Sequence, residues 1–223
     1  MGVHDGHRKR LIRRSLEQGL DGFEPHQVLE LLLFYAIPRQ DTNVLAHRLT
    51  EVFGSLKGVF DAPYEQLMEV SGVGENTAAL LKLIPQLTRL YFAAEDSDVI
   101  VQSAEAAAAL LMPRFIGRRV ELVYLISMDA KGRALSVDLI HEGSIHAAEA
   151  NVRKIASVAL RHNAAGVLLA HNHPGGMALP SREDILTTRT LRTALEAMDI
   201  QLLDHIIVAD REFVSMRESG HFA

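Results

Sequence analysis

With 223 residues the chain is long for one ordinary domain and comfortable for two, one of them large enough to bury a full core. Hydrophobic residues make up 48% and charged residues 23%, the balance of a globular protein rather than of a disordered or membrane-embedded one. The absence of cysteine excludes disulfides, thiolate nucleophiles and Cys-based zinc sites, and the net charge of -5 gives no bulk attraction to nucleic acid.

From Arg8 to about Tyr91 the apolar spacing is helical: Leu29, Leu32, Leu33 and Ala36 share one face, then Val44, Leu45, Leu49 and Val52 the next. Pro25, Pro38, Gly54 and Pro63 punctuate these helices. The longest apolar stretches, such as Leu29 to Ile37, fall short of the roughly 18 residues a membrane-spanning helix needs. No apolar signal region follows the charged N-terminus, so the expectation is a cytoplasmic protein with no membrane partner. The short acidic segment Ala93 to Asp98 reads as a linker between domains at 1–95 and 99–223.

Beyond it the pattern becomes mixed. Ser103 caps a helix through about Phe115, and Val120 to Met128 reads as a buried strand closed by a turn at Asp129 to Gly132. A second strand runs through Ile140, a helix from His146 to Asn163, and an apolar strand from Gly166 to Ala170. The loop His171 to Pro180 leads to a helix from Ser181 to about Met198, and strands near Gln201 to Ala209 and Glu212 to Met216 finish the chain. Strands alternating with helices predict an α/β layer structure.

The stretch from Leu168 to Asp184 carries the chemistry. A buried strand delivers His171 and His173, and period two puts both imidazoles on one side of it. The Pro/Gly-rich loop folds back, and the next helix brings Asp184 within reach. Two nitrogens and one oxygen leave a coordination position open, which is how catalytic zinc is held; such a metal lowers the pKa of a coordinated water to about 7. Ser181 and Asp184 also resemble a helix-capping arrangement, a role compatible with catalysis.

His-X-His, seven residues, Ser, two residues, Asp resembles the JAMM metallopeptidase signature, met here by His171, His173, Ser181 and Asp184. Asn172 between the histidines and Pro174 after them resemble the RadC family in particular, historically labelled DNA repair proteins. That family usually has Ser after this proline, where the present chain has Gly175. The resemblance implies a JAMM/MPN (cytidine-deaminase-like) three-layer α/β domain, preceded by a small all-α domain with a helix-hairpin-helix element.

The resemblance also implies one zinc ion and hydrolysis of an amide or isopeptide bond in a peptide or protein substrate. It assigns the proton-accepting glutamate to Glu121, near the start of the first strand. A carboxylate sharing a face with Val123 and Leu125 is partly desolvated, which makes it a stronger base. The alternatives for Glu121 are an ion pair with Arg118 or Arg119, and the rival bases are Glu142 and Glu149. Ser181, by the same resemblance, steadies the water or the developing oxyanion. His205, in an apolar strand, reads as a hydrogen-bonded core histidine, and His141 and His146 as loop residues outside the site.

Leu67 to Leu80, with Gly72-Val73-Gly74 at its centre, has the shape of a helix-hairpin-helix, whose second helix can present amides to a phosphate. Glu75 stands where that phosphate would arrive, and residues 1–95 hold 10 basic against 12 acidic side chains. DNA binding through this element, protein docking and simple packing all stay open. The alternative to a hydrolase is a DNA-repair-associated nucleic-acid or protein-binding module with a non-catalytic metal site. A zinc nucleobase deaminase is excluded, because it needs a Pro-Cys-X-X-Cys pair.

Overall fold

The computed structural model describes residues 3–38, 40–93, 99–143 and 148–222. The acidic segment 94–98, Ser144, His146 and the side chain of Glu149 lie outside the described residues. The chain divides into two compact units, Met1–Leu87 and Thr88–Ala223.

The first unit is helical: α1 (Val3–Gln18), α2 (Pro25–Ala36), α3 (Asn43–Phe53), α4 (Leu56–Asp61), α5 (Tyr64–Glu69) and the first turns of α6 (Glu75–Ala93). Its boundaries follow local chemistry. Glu24 and Gln27 form a reciprocal capping box ahead of Pro25, whose fixed φ suits the first helical position. Gly54 ends α3 with φ of 75°, a left-handed conformation open to glycine at little cost. Leu29, Leu33, Leu49, Leu67 and Leu81 are fully buried and form its core.

One expected face is corrected. Leu45, Ala46 and Leu49 point inward, whereas Val44 and Val52 are 61% and 59% exposed. The inward arc of α3 is centred one residue further along than the spacing of valines suggests. Between α5 and α6, Gly72 turns the chain with φ of 98°, and the Val73 amide closes the turn on the Val70 carbonyl at 2.9 Å. Two helices joined by a tight turn are thus present over Leu67 to Leu80.

The second unit contains α7 (Ala104–Leu111), β1 (Leu122–Met128), β2 (Ala134–Glu142), α8 (Ala148–Arg161), β3 (Gly166–Asn172), α9 (Arg182–Glu196), β4 (Gln201–Ala209) and β5 (Glu212–Ser215). The strands form one sheet in the order β2-β1-β3-β4-β5. Only β3 and β4 are parallel, joined by the crossover helix α9.

Period two sends alternate residues to two cores. Leu122, Ile126, Leu168, Ala170, Ile206 and Val208 pack on α7. Val123, Leu125, Val167, Leu169 and Leu202 pack on α8 and α9. Helix, sheet and helices make three layers. Every residue of β3 is buried, as expected of a central strand covered on both faces. This strand continues through His171 and Asn172, two residues beyond the expected end at Ala170, and its pairing reaches further still, with the His173 amide donating to the Val208 carbonyl at 2.8 Å.

Candidate metal centre

The end of β3 delivers His171, fully buried, and two residues later His173, on the side of the sheet that faces α9. The first turn of α9 supplies Asp184, only 5% exposed. The turn directs this carboxylate by a reciprocal cap: the Asp184 amide donates to Ser181 Oγ at 3.1 Å, and the Ser181 amide donates to Asp184 Oδ2 at 2.7 Å. Ser181 is therefore the N-cap the spacing predicts, and capping is the means by which Asp184 is turned back toward the strand. Glu121 lies one residue before β1, with Oε1 3.8 Å from His171 Nε2.

Three side chains thus gather around His171 Nε2. His171 Nε2 and His173 Nε2 are 2.8 Å apart, Asp184 Oδ1 is 3.2 Å from the first nitrogen, and Asp184 Oδ2 is 3.6 Å from the second. Glu121, His171 and His173 form a group whose ligand atoms lie within 4.8 Å of one another and can hold a metal ion. Bonds of about 2.0–2.1 Å at tetrahedral angles separate neighbouring ligand atoms by about 3.3 Å; the His171 Nε2–Asp184 Oδ1 separation is close to this, whereas the two imidazole nitrogens are a hydrogen-bond distance apart and would part slightly around an ion.

The hydrogen-bond inventory agrees with this fit. His173 Nδ1 lies 3.1 Å from the Met177 carbonyl, which only accepts, so Nδ1 donates and Nε2 is left to turn its lone pair to the centre. That lone pair faces a second imidazole nitrogen and a carboxylate, an assembly that calls for a proton or a cation at its centre. Asp184 registers the same demand. Burial pushes its carboxyl up, but a hydrogen bond and positive charge at the facing His171 nitrogen, where a cation would stand, together with the two bonds to Ser181, outweigh it and hold the group well below the usual carboxylate range.

The loop that brings Met177 back depends on Gly175, whose φ is 70°. A side chain at that place would be strained, so the backbone found here suits glycine. Arg118 Nη1 lies 3.9 Å from Glu142 Oε1 rather than beside Glu121, and Glu142 is 55% exposed. His141 is half-buried in β2, opposite Val123. His205 is buried as expected, and burial first, then the charge of His171, pushes its pKa well below the ordinary value, so the ring is neutral.

Three residues near the centre go beyond what sequence reasoning singled out for it. Asn172 carries in the sequence only a resemblance to the RadC family. Its Oδ1 accepts from the Leu122 amide at 2.8 Å and its Nδ2 donates to the Val120 carbonyl at 3.2 Å, clamping the backbone on both sides of Glu121. His205 Nε2 lies 2.8 Å from His171 Nδ1, and Thr188 Oγ1 lies 2.6 Å from His205 Nδ1. Thr188 had a legible signal, since Asp184, Thr188, Leu191 and Leu195 recur at helical spacing on the buried face of α9. No comparable local signal marks the Asn172 clamp.

Comparison with known proteins bears on the whole chain. The family described as "RadC-like JAB domain" matches residues 101–221. UPF0758 protein FN0909 of Fusobacterium nucleatum subsp. nucleatum is 30% identical over 225 residues, covering 97% of this chain and 97% of that relative. The mixed α/β unit with its five-stranded sheet, the helical N-terminal unit and a Glu/His/His group able to hold a metal are consistent with a JAB/MPN domain. Among the described residues no helix is long and apolar enough to cross a membrane. The chain belongs to the family of RadC-like JAB-domain proteins.

Proposed function

We propose that this protein is a zinc-dependent hydrolase that cuts an amide or isopeptide bond in a peptide or protein substrate, with His171, His173 and Asp184 as the metal ligands. The observation that carries the reading is the convergence of two imidazole nitrogens, 2.8 Å apart, on the Asp184 carboxylate, whose Oδ1 lies 3.2 Å from the first and whose Oδ2 lies 3.6 Å from the second. Asp184 rather than Glu121 is assigned as the third ligand for two physical reasons. It is nearer to His171 Nε2, 3.2 against 3.8 Å, and its carboxylate is anchored by the cap to Ser181.

A zinc ion bound there supplies Lewis acidity, polarising a carbonyl and acidifying a water. The protein's own groups do the rest. Glu121, partly exposed and held to the site through its clamped backbone, takes a proton from a water in the centre and returns it to the departing amine. Ser181 Oγ accepts from the Asp184 amide, and its hydroxyl proton, within reach of the Asp184 carboxylate, can turn to an oxyanion developing beside the histidines. The domain assignment that goes with this reading is a small all-α helix-hairpin-helix domain over 1–95 and a JAMM/MPN hydrolase domain over 99–223. The acidic Glu75 in the first turn of α6 disfavours a phosphate there, so DNA is not part of the proposed activity.

The test is elemental analysis after dialysis against metal-free buffer, followed by a screen of peptide and isopeptide-linked libraries. About one zinc per wild-type chain and almost none in His171→Ala/His173→Ala is expected. Glu121→Gln is expected to keep the zinc and lose hydrolysis by about 10²–10⁴-fold. A wild type without metal, or a Glu121→Gln variant as active as wild type, overturns the proposal.

A further inference from the structure

We infer that His205 and Thr188 form a proton-ordered relay that fixes His171 with its proton on Nδ1 and its Nε2 lone pair aimed at the metal centre. The inference rests on the metal assignment above for its purpose, but its geometry stands independently.

The order follows from counting protons along a buried chain of three hydrogen bonds. Thr188 Oγ1 lies 2.6 Å from the Asp184 carbonyl and 2.6 Å from His205 Nδ1. The hydroxyl has one proton, and the carbonyl can only accept, so the proton goes to the carbonyl. His205 Nδ1 must then donate to Thr188 Oγ1, since two lone pairs at that distance repel. A neutral imidazole with a proton on Nδ1 has a bare Nε2. That atom lies 2.8 Å from His171 Nδ1, which therefore donates to it. The far nitrogen of His171, Nε2, is left as a lone pair 2.8 Å from the His173 Nε2 lone pair and beside Asp184, an arrangement that a cation or a shared proton at the centre completes.

Every member of the relay is dry: Thr188 is 2% exposed, His205 1% and His171 0%. Water cannot supply an alternative partner, and a reversed order would leave a buried acceptor pair unpaired. Metal-ligating histidines generally need an acceptor for the second ring nitrogen, which orients the ring and raises ligand basicity. Here the acceptor is another histidine, itself held in one tautomer by a helix-borne threonine. The relay starts at the Asp184 carbonyl, so the helix turn that presents the carboxylate also dictates the tautomer of the opposite ligand. His205 and Thr188 are positioning residues and do not touch the proposed substrate.

Two measurements on the full chain test this. Two-bond ¹H–¹⁵N spectra of wild-type protein in metal-free buffer are expected to show His205 as the neutral Nδ1–H tautomer. In Thr188→Val, which keeps the side-chain shape, the tautomers are expected to mix. Separately, zinc affinity is read by competition with a chromophoric chelator. His205→Leu is expected to weaken binding about 10–100-fold, and His205→Gln, which restores an acceptor at the Nε2 position, to recover most of it.

An Nε2–H tautomer of His205 in the wild type, or equal zinc affinity in His205→Leu, His205→Gln and wild type, overturns the relay. Should the wild type bind no zinc, the proposed hydrolase fails, while the tautomer spectra still decide the relay. Should His205→Leu not fold, Thr188→Val and His205→Gln carry the test.

Discussion

Removing the Asn172 side chain separates two roles that the strand end combines. Asn172 stands between the two histidines in sequence, yet its side chain lies across the sheet, accepting from the Leu122 amide at 2.8 Å and donating to the Val120 carbonyl at 3.2 Å. Leu122 is fully buried, so in Asn172→Ala its amide loses its partner with no water to replace it, at about 1–3 kcal/mol. Val120 is 43% exposed, so water takes over its carbonyl at a small fraction of that. The expected loss is about 2 kcal/mol, concentrated at the start of β1.

That loss predicts amide exchange at Leu122 accelerated about 30-fold, because each 1.4 kcal/mol is about a factor of ten. Residues further along β1, from Leu125 to Met128, keep their ladder to β3 and should change little. Zinc content should stay at the wild-type value, since no ligand is altered, while hydrolysis of any substrate found by screening falls because Glu121 is no longer held. Native-state hydrogen exchange with parallel elemental analysis measures both. Unchanged exchange at Leu122, or loss of zinc together with Asn172, would refute the clamp.

Metal removal should destabilise the wild type: at a free zinc concentration 100 times Kd the bound ion contributes about 2.7 kcal/mol, so chelation should lower Tm by about 5–10 °C, with no response in His171→Ala/His173→Ala. Ser181→Ala removes the side-chain half of the cap on α9 and should cost about 1 kcal/mol in urea unfolding, while zinc binding should be largely kept, because the backbone amide of residue 181 still holds Asp184 Oδ2. Asp129 gives a pH signature away from the centre. The Arg133 amide first, then that of Lys131, holds its carboxyl below the ordinary aspartate value. A depressed folded pKa contributes stability above the unfolded value of about 3.9, lost as pH falls through the folded one, so thermal scans of Asp129→Asn and wild type should diverge above that pH and converge below it.

Much of the architecture is legible because its signals are local. Ser103 and Ser181 cap the helices that follow them, the Asp129–Gly132 turn closes the first strand, and period two along β1 and β3 divides the side chains between two cores. The candidate site is legible for the same reason: His171 and His173 are neighbours on one strand edge, and Ser181 and Asp184 are bound to each other within a single helical turn. What sequence hides is reach. The Asn172 clamp spans 50 residues to Leu122, and the relay spans 34 residues from His171 to His205 and 17 from Thr188 to His205.

A polar residue in an apolar strand announces only that it must be paired, not with what. His205 illustrates this: its hydrogen-bonded, buried character is readable from Leu203 to Val208, but its partners are set by the parallel register of β3 on β4 and by the packing of α9 on that pair. The strand end and the first turn of α9 meet because the crossover from β3 to β4 returns the chain to the adjacent strand. In a parallel pair the loop after the first strand and the helix N-terminus fall at the same edge of the sheet, where donors from three elements can converge without a buried loop. The four signature side chains therefore sit at the place where this connection gathers polar groups, and their supporting partners are the ones the same connection brings alongside.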